Sequence, residues 1–561
     1  MKTIKQILIT LWVVALSALL GHTQLKAQNV SGEKLFPEQI APLLEGMGKH
    51  GFAISSKIEM ARTYFNQGMG LTYGFNHLEA GRSFQQVIEL DPQAAIAYWG
   101  QALVLGRNIN SAMEASAVKP AYEAIQKAVE LKRYASEFER DLIDALAKRY
   151  SDDESMKDRE RLDMEYAEAM RRVANKYKAD PNVQTLYASS LMNLHPWDFW
   201  NGDGTPKAWT PEILEVLEDG LAKHPTHSGL IHYYIHAVEA SKNPGRALKS
   251  ADILADLMPG SGHIVHMPSH IYIRTGKYHE GVLINERAMQ VDDNYITQCR
   301  QQGIYPLAYV PHNRHFLWSM ATLEGSSSKA IKAAEHMAGH IDEQLMRSQE
   351  LSTLQHYWVT PLYAYVRFGK WNKILETPKP DSDLLYPLGV WHYARGVAFT
   401  AQGKFQEAEK EYNTLRELSG NDTLKGITVW EINDAFHVLQ IATYALEGEL
   451  KAKQGKTGDA VQAFQKAINL EDNLNYNEPS DWHYPIRQSL GAVLLEAGYA
   501  KEAEAVYRAD LEVFPENGWS LFGLHKSLIE QGRTQEAITV KERLDKAWKW
   551  ADFKLKASRV L

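Results

Sequence analysis

One rhythm recurs along most of this chain and restricts its fold more than any other feature. A glycine turn is followed five residues later by a small residue, and four beyond that by a larger one. It reads Gly403–Ala408–Tyr412, Gly455–Ala460–Phe464 and Gly498–Ala503–Tyr507, and begins again at Gly532–Ala537. Earlier copies are Ala80, Phe84, Val87 with Pro92 as the stop, Ala247, Ala251, Leu254 with Pro259, and Gly281, Asn285, Ala288 after the turn Gly276–Tyr278. Steps of three and four fall on one helical face. The glycine permits the turn and the small residue lets two helices approach. The rhythm therefore predicts a chain of antiparallel helix hairpins, each burying its face only against its neighbours.

The copies resemble the tetratricopeptide repeat, from about residue 58 to about residue 550. "YGFNHLEAGRSF", "AYWGQAL", "HYYIHAVEAS", "PGSGHIVHMPSHIYIRTGKY" and "DWHYPIRQSLGAVLLEAG" resemble an exported bacterial subfamily of such proteins. The resemblance implies an all-α fold, a right-handed α-solenoid of tetratricopeptide helix hairpins with inserted loops. It implies no activity, because this repeat is a scaffold for many functions. The expected organisation is a leader over 1–27, a lead-in over 28–57, an N-terminal array with histidine-rich repeats over 58–290, central repeats with an insert over 291–375, and a C-terminal array over 376–561. Irregular segments interrupt the period at Asn108–Pro120, Asn193–Pro211, Val291–Pro311, Glu376–Tyr386 and Asn473–Pro485.

The first 27 residues read as a secretory signal peptide: Lys2 and Lys5, an apolar run from Ile7 to Leu20, and a small residue at Ala27. The expected location is periplasmic or secreted, with no membrane span in the mature chain. Cys299 is the only cysteine, so an intramolecular disulfide and a thiolate metal cluster are both excluded. The net charge is −8 and the charges are interspersed, which argues against nucleic acid and against an anionic membrane surface.

Histidine placement carries the functional expectation. His232, His236 and Glu239 fall on the first helix of one repeat, His263, His266 and His270 on the next, and His312 and His315 on a third. Their spacings of three, four and seven share one stripe, and His356 extends it. In tetratricopeptide proteins that stripe lines the concave groove. His279, His336 and His340 fall on second helices and read as ordinary packing or outward residues.

Neutral imidazole is the commonest ligand for Zn, Cu, Fe and Ni, and Glu239 suits a ligand or a ring-orienting partner. A divalent transition ion is thus one reading. The other is a metal-free groove that takes a protein, peptide or glycan, in an exported scaffold accessory to nutrient or polysaccharide breakdown and uptake. Trp99, His195, Trp197, Asp198, Asp203 and His356 are candidates for that groove or its lid. "HYYIH" lacks the general base of a zinc protease, because Tyr233 stands where the glutamate is needed. Any catalysis would be metal-dependent hydrolysis or oxidation.

Overall fold

The computed structural model describes residues 40–152, 159–299 and 309–561. The expected leader, and the side chain of Cys299, lie outside the described residues. The fold is the all-α array of hairpins that the rhythm predicts: Glu59–Tyr73 packs on His77–Leu90, Ala435–Lys453 on Thr457–Asp472, Ile486–Glu496 on Ala500–Val513. Among the described residues the only paired strands are Thr428–Val429 and Asn433–Asp434, which form one short antiparallel hairpin. No described helix is long and apolar enough to cross a membrane.

The small positions have a specific use. A Cβ on Gly68 would sit 2.6 Å from the Phe84 ring, one on Gly448 2.6 Å from Phe464, and one on Gly491 2.6 Å from Tyr507. Each pair is 16 residues apart in sequence, so the same aromatic-on-glycine contact closes three different hairpins. Gly100 and Gly523 repeat it on the following helix, against Phe84 and Tyr507. The turn glycines serve another purpose. Gly403, Gly455, Gly498 and Gly532 have φ between +71° and +82°, and a Cβ there would meet nothing within 4 Å. They are required by the left-handed backbone that ends each first helix, not by crowding.

A plain solenoid makes contacts only between neighbouring repeats. This one also closes on itself. Trp519 Nε1 donates to the Thr322 carbonyl at 3.0 Å, 197 residues away in sequence. Tyr278 OH donates to the Pro515 carbonyl at 2.7 Å, across 237 residues. The C-terminal tail adds Asp552, which accepts from the backbone of Ser327 and Ser328 at the start of the Ser327–Ala338 helix. Among the described residues the apolar interior forms two large clusters; the chain first leaves one for the other at Ile271–Tyr272 and returns to the first at Tyr295, Tyr309 and Val310. His270 is the residue just before that seam.

Candidate metal centre

Six of the eight phased histidines, His232, His236, His263, His266, His270 and His312, come together in the interior, while His315 and His356 form a separate group. His232, His236, Glu239, His263, His266 and His270 are between 0 and 2 % exposed, and His312 is half-buried. His232 and His236 lie on the Ser228–Val238 helix, with Glu239 as its C-terminal cap. Pro268 divides the next expected helix, leaving His263 and His266 on Gly262–His266 and His270 on Pro268–Thr275. His312 and His315 lie on Val310–Glu324.

Three sets of side chains here bring their ligand atoms within 4.8 Å of one another: His232–His236–His263, His266–His270–His312, and His236–Glu239–His270. Any of these sets could hold a metal ion. The hydrogen bonds around them fix which nitrogen faces inward. A carbonyl only accepts, so His232 Nδ1, 2.5 Å from the Tyr73 carbonyl oxygen, carries a proton. Its Nε2 is then the lone-pair nitrogen, and it faces His263 Nε2 at 3.2 Å. Asn285 donates its amide to the Gly281 carbonyl at 2.8 Å. That turns Asn285 Oδ1 toward His266 Nδ1 at 2.7 Å, which leaves His266 Nε2 facing His270 Nε2 at 3.0 Å.

Glu239 joins the sets. One carboxylate oxygen accepts from His236 Nδ1 at 2.9 Å, and the other pairs with His270 Nδ1. His236 Nε2 is buried with no hydrogen-bond partner. Metal-bound imidazole typically has its remote nitrogen held by a carboxylate or carbonyl in this way. Glu478, from the irregular segment Asn473–Pro485, reaches His270 Nδ1 at 3.4 Å.

Burial, with the neighbouring rings, holds His232, His263 and His266 well below the ordinary imidazole pKa. Neutral rings of this kind are ligand-ready. His270 differs: burial opposes its charge, but Glu239 and then Glu478 outweigh it and raise the ring. Burial likewise works against Glu239, which the His270 and His236 rings hold down, and it pushes Glu478 up.

Aromatic side chains wall the array, three of them from left-handed backbone. Phe75 (φ 56°) packs 4.6 Å from His232, Trp197 (φ 59°) edges His236 at 5.2 Å, and Trp430 (φ 55°) edges His312 at 5.6 Å. Positive φ is uncommon for bulky residues and is tolerated where surroundings enforce it. Phe75 and Trp430 are not legible as site residues in the sequence. Each contacts a histidine far along the chain.

The other expected groove residues are dispersed. Trp99 is 1 % exposed and donates to the Leu142 carbonyl, as a core residue does. His195 stacks on Trp209, Asp198 pairs with Lys207 at 3.0 Å, and Asp203 accepts from Thr205 in an exposed turn. His315 belongs to none of the three sets; it stacks on Trp318 and edges His356.

No family model matches the sequence, and no curated protein matches it. Among solved structures, the human IFIT1 dimer with m7Gppp-AAAA is 12 % identical, with 88 % of this chain and 90 % of that chain covered and a TM-score of 0.31. The Cut9–Hcn1 hetero-tetramer of APC/C is 13 % identical over 87 % of this chain and 76 % of that one, with a TM-score of 0.30. Yeast Tom70 is 11 % identical over 87 % and 92 %, with a TM-score of 0.27. Scores this low leave the functional reading to the chain's own geometry.

Proposed function

We propose that this chain is an exported helical-repeat binding scaffold whose interior is fastened by a transition-metal centre. The observation that carries the metal is the pair of facing Nε2 atoms, His232–His263 at 3.2 Å and His266–His270 at 3.0 Å. At that distance either one ring donates its proton to the other or both nitrogens share a cation. Tetrahedral coordination at ordinary metal–nitrogen lengths separates two ligand nitrogens by roughly 3.3 Å. Zn, Cu, Fe and Ni all suit an imidazole set. The rings come from consecutive repeats, so an ion there ties neighbouring repeats together. Elemental analysis of the purified chain, then zinc titration after chelation, tests this. Binding no tighter than ~10 μM, within reach of ordinary surface histidine pairs, would sink it.

The scaffold half of the reading rests on a separate cleft. A cavity of about 1010 Å³ opens beside the N-terminal repeats, lined by Leu43, Lys49, Arg62, Asn66 and Asp256 among others. It is large enough for a peptide or glycan segment, and its lining includes none of the histidines of the three ligand sets. Export rests on the N-terminal leader, and amino-terminal sequencing of the secreted protein should begin at about Gln28. A metal-dependent hydrolase or oxidase is the catalytic form of the same centre. It would need a fourth ligand position open to substrate.

A further inference from the structure

We infer that the centre holds two ions, not one, and that Glu239 couples them. The inference rests on the metal-centre reading and specifies it. The two triads have no member in common: His232, His236 and His263 form one, and His266, His270 and His312 form the other. Each contains its own pair of facing Nε2 atoms, so each offers its own place where a cation could stand in for the proton between the rings. Each also gains a third ring. His236 brings the buried, unpartnered Nε2 to the first, and His312 completes the second.

Among the described residues, one set mixes the two triads, and it does so through Glu239. This carboxylate touches the Nδ1 side of His236 with one oxygen and the Nδ1 side of His270 with the other. A proton held on Nδ1 leaves Nε2 as the donor to metal. Glu239 therefore orients one ligand of each ion and places its negative charge between them. Glu478, close to His270, adds a second carboxylate near the second triad.

The experiment uses the full exported chain, stripped with a chelator and titrated with cobalt(II) and zinc(II). Cobalt binding is read from its visible bands and zinc from calorimetry. The expected result is two tight equivalents per chain in the unaltered protein. His263→Ala and His312→Ala should each retain one equivalent, and the double variant none. Glu239→Gln should weaken both by about 10- to 100-fold, as losing an orienting partner does. One equivalent in the unaltered chain, abolished by either single variant, overturns the two-ion inference and leaves the metal reading standing. No tight equivalent at all overturns the metal reading itself. The count in the unaltered chain decides the matter even where a variant fails to fold.

Discussion

His356 and His270 are both buried imidazoles on inward-facing helices, 1 and 2 % exposed, yet their nitrogens are held differently. His270 is clamped by Glu239 on one side and faces His266 on the other. His356 bonds the Tyr386 hydroxyl at 2.7 Å, and its neighbours His315 and His483 lie flat on Trp318 and Tyr363. His483 also meets the Tyr393 hydroxyl at 3.1 Å. The second group has three histidines but, among the described residues, no facing pair of ring nitrogens and no carboxylate tying two rings. Histidine density alone does not make a ligand set. Tautomers fixed by carbonyl, amide and carboxylate partners, with the remaining nitrogens converging, do. The two groups should therefore respond oppositely to the same treatments.

The largest contrast is expected at Glu239. Breaking a buried, hydrogen-bonded ion pair by removing one partner is strongly destabilising, by about 3–5 kcal/mol. Glu239→Ala should lose that much in denaturant unfolding and lose its metal as well. His356→Gln, in the aromatic group, should lose about 1–2 kcal/mol from its hydrogen bond and keep full metal content. Equal losses of metal in the two variants would erase the distinction.

Chelation comes next. An ion that binds only the folded chain stabilises it by about 2.7 kcal/mol when present at a hundredfold its dissociation constant. The melting temperature should fall by several degrees on chelation and recover with zinc. His315→Ala should show the same metal-dependent shift as the unaltered chain. Loss of the shift in His315→Ala would place that ring among the ligands, against its position beside Trp318.

Acidification acts on the aromatic group through protons alone. Burial holds His356 down to about 4, against about 6.5 in an unfolded chain. A depressed histidine stays neutral in the fold, while the unfolded chain takes up a proton below 6.5. Its contribution is thus fully present above pH 6.5 and is lost as pH falls through 6.5 toward 4. The loss is up to about 3 kcal/mol for a shift of that size. His356→Gln, compared with the parent in metal-free buffer, should flatten this acid limb by about one proton's slope. An unchanged slope would mean that the ring is already charged in the fold.

The hairpins were legible because their signals are local. Gly403, Ala408 and Tyr412 lie within ten residues, and period and turn chemistry act at that range. The helical phase likewise put His232, His236, His263, His266 and His270 on one surface. What phase cannot supply is closure. Nothing near His270 in sequence signals Glu478, which arrives from a segment some two hundred residues later because the C-terminal repeats fold back. Nor does it signal that Phe75, Trp197 and Trp430 shut the stripe away from solvent. For the same reason His315 has the right phase but a different neighbourhood: it stacks on Trp318, one turn along its own helix, and belongs to none of the three sets.

The smallest effect sharpens the comparison from outside both groups. Phase places His279 and His336 alike on second helices, and from sequence both read as ordinary residues. The structure separates them. His279 Nδ1 lies 2.8 Å from a carboxylate oxygen of Glu324, whose side chain is only 3 % exposed, and its ring stacks on Trp550 at 4.3 Å. Removing it strands a buried acceptor, which typically costs about 1–3 kcal/mol. His336 is exposed, and its ring edges that of His340. His336→Ala should therefore change stability by no more than about 0.5 kcal/mol, as surface substitutions usually do. Both variants should bind zinc as the parent does, since neither ring belongs to a set of converging ligand atoms. A melting curve and a zinc titration on the two variants together make the test. If His279→Ala melts with the parent, the Glu324 contact contributes nothing. If His336→Ala loses zinc, exposed histidines are binding it, and the equivalents assigned to the buried rings would have to be recounted.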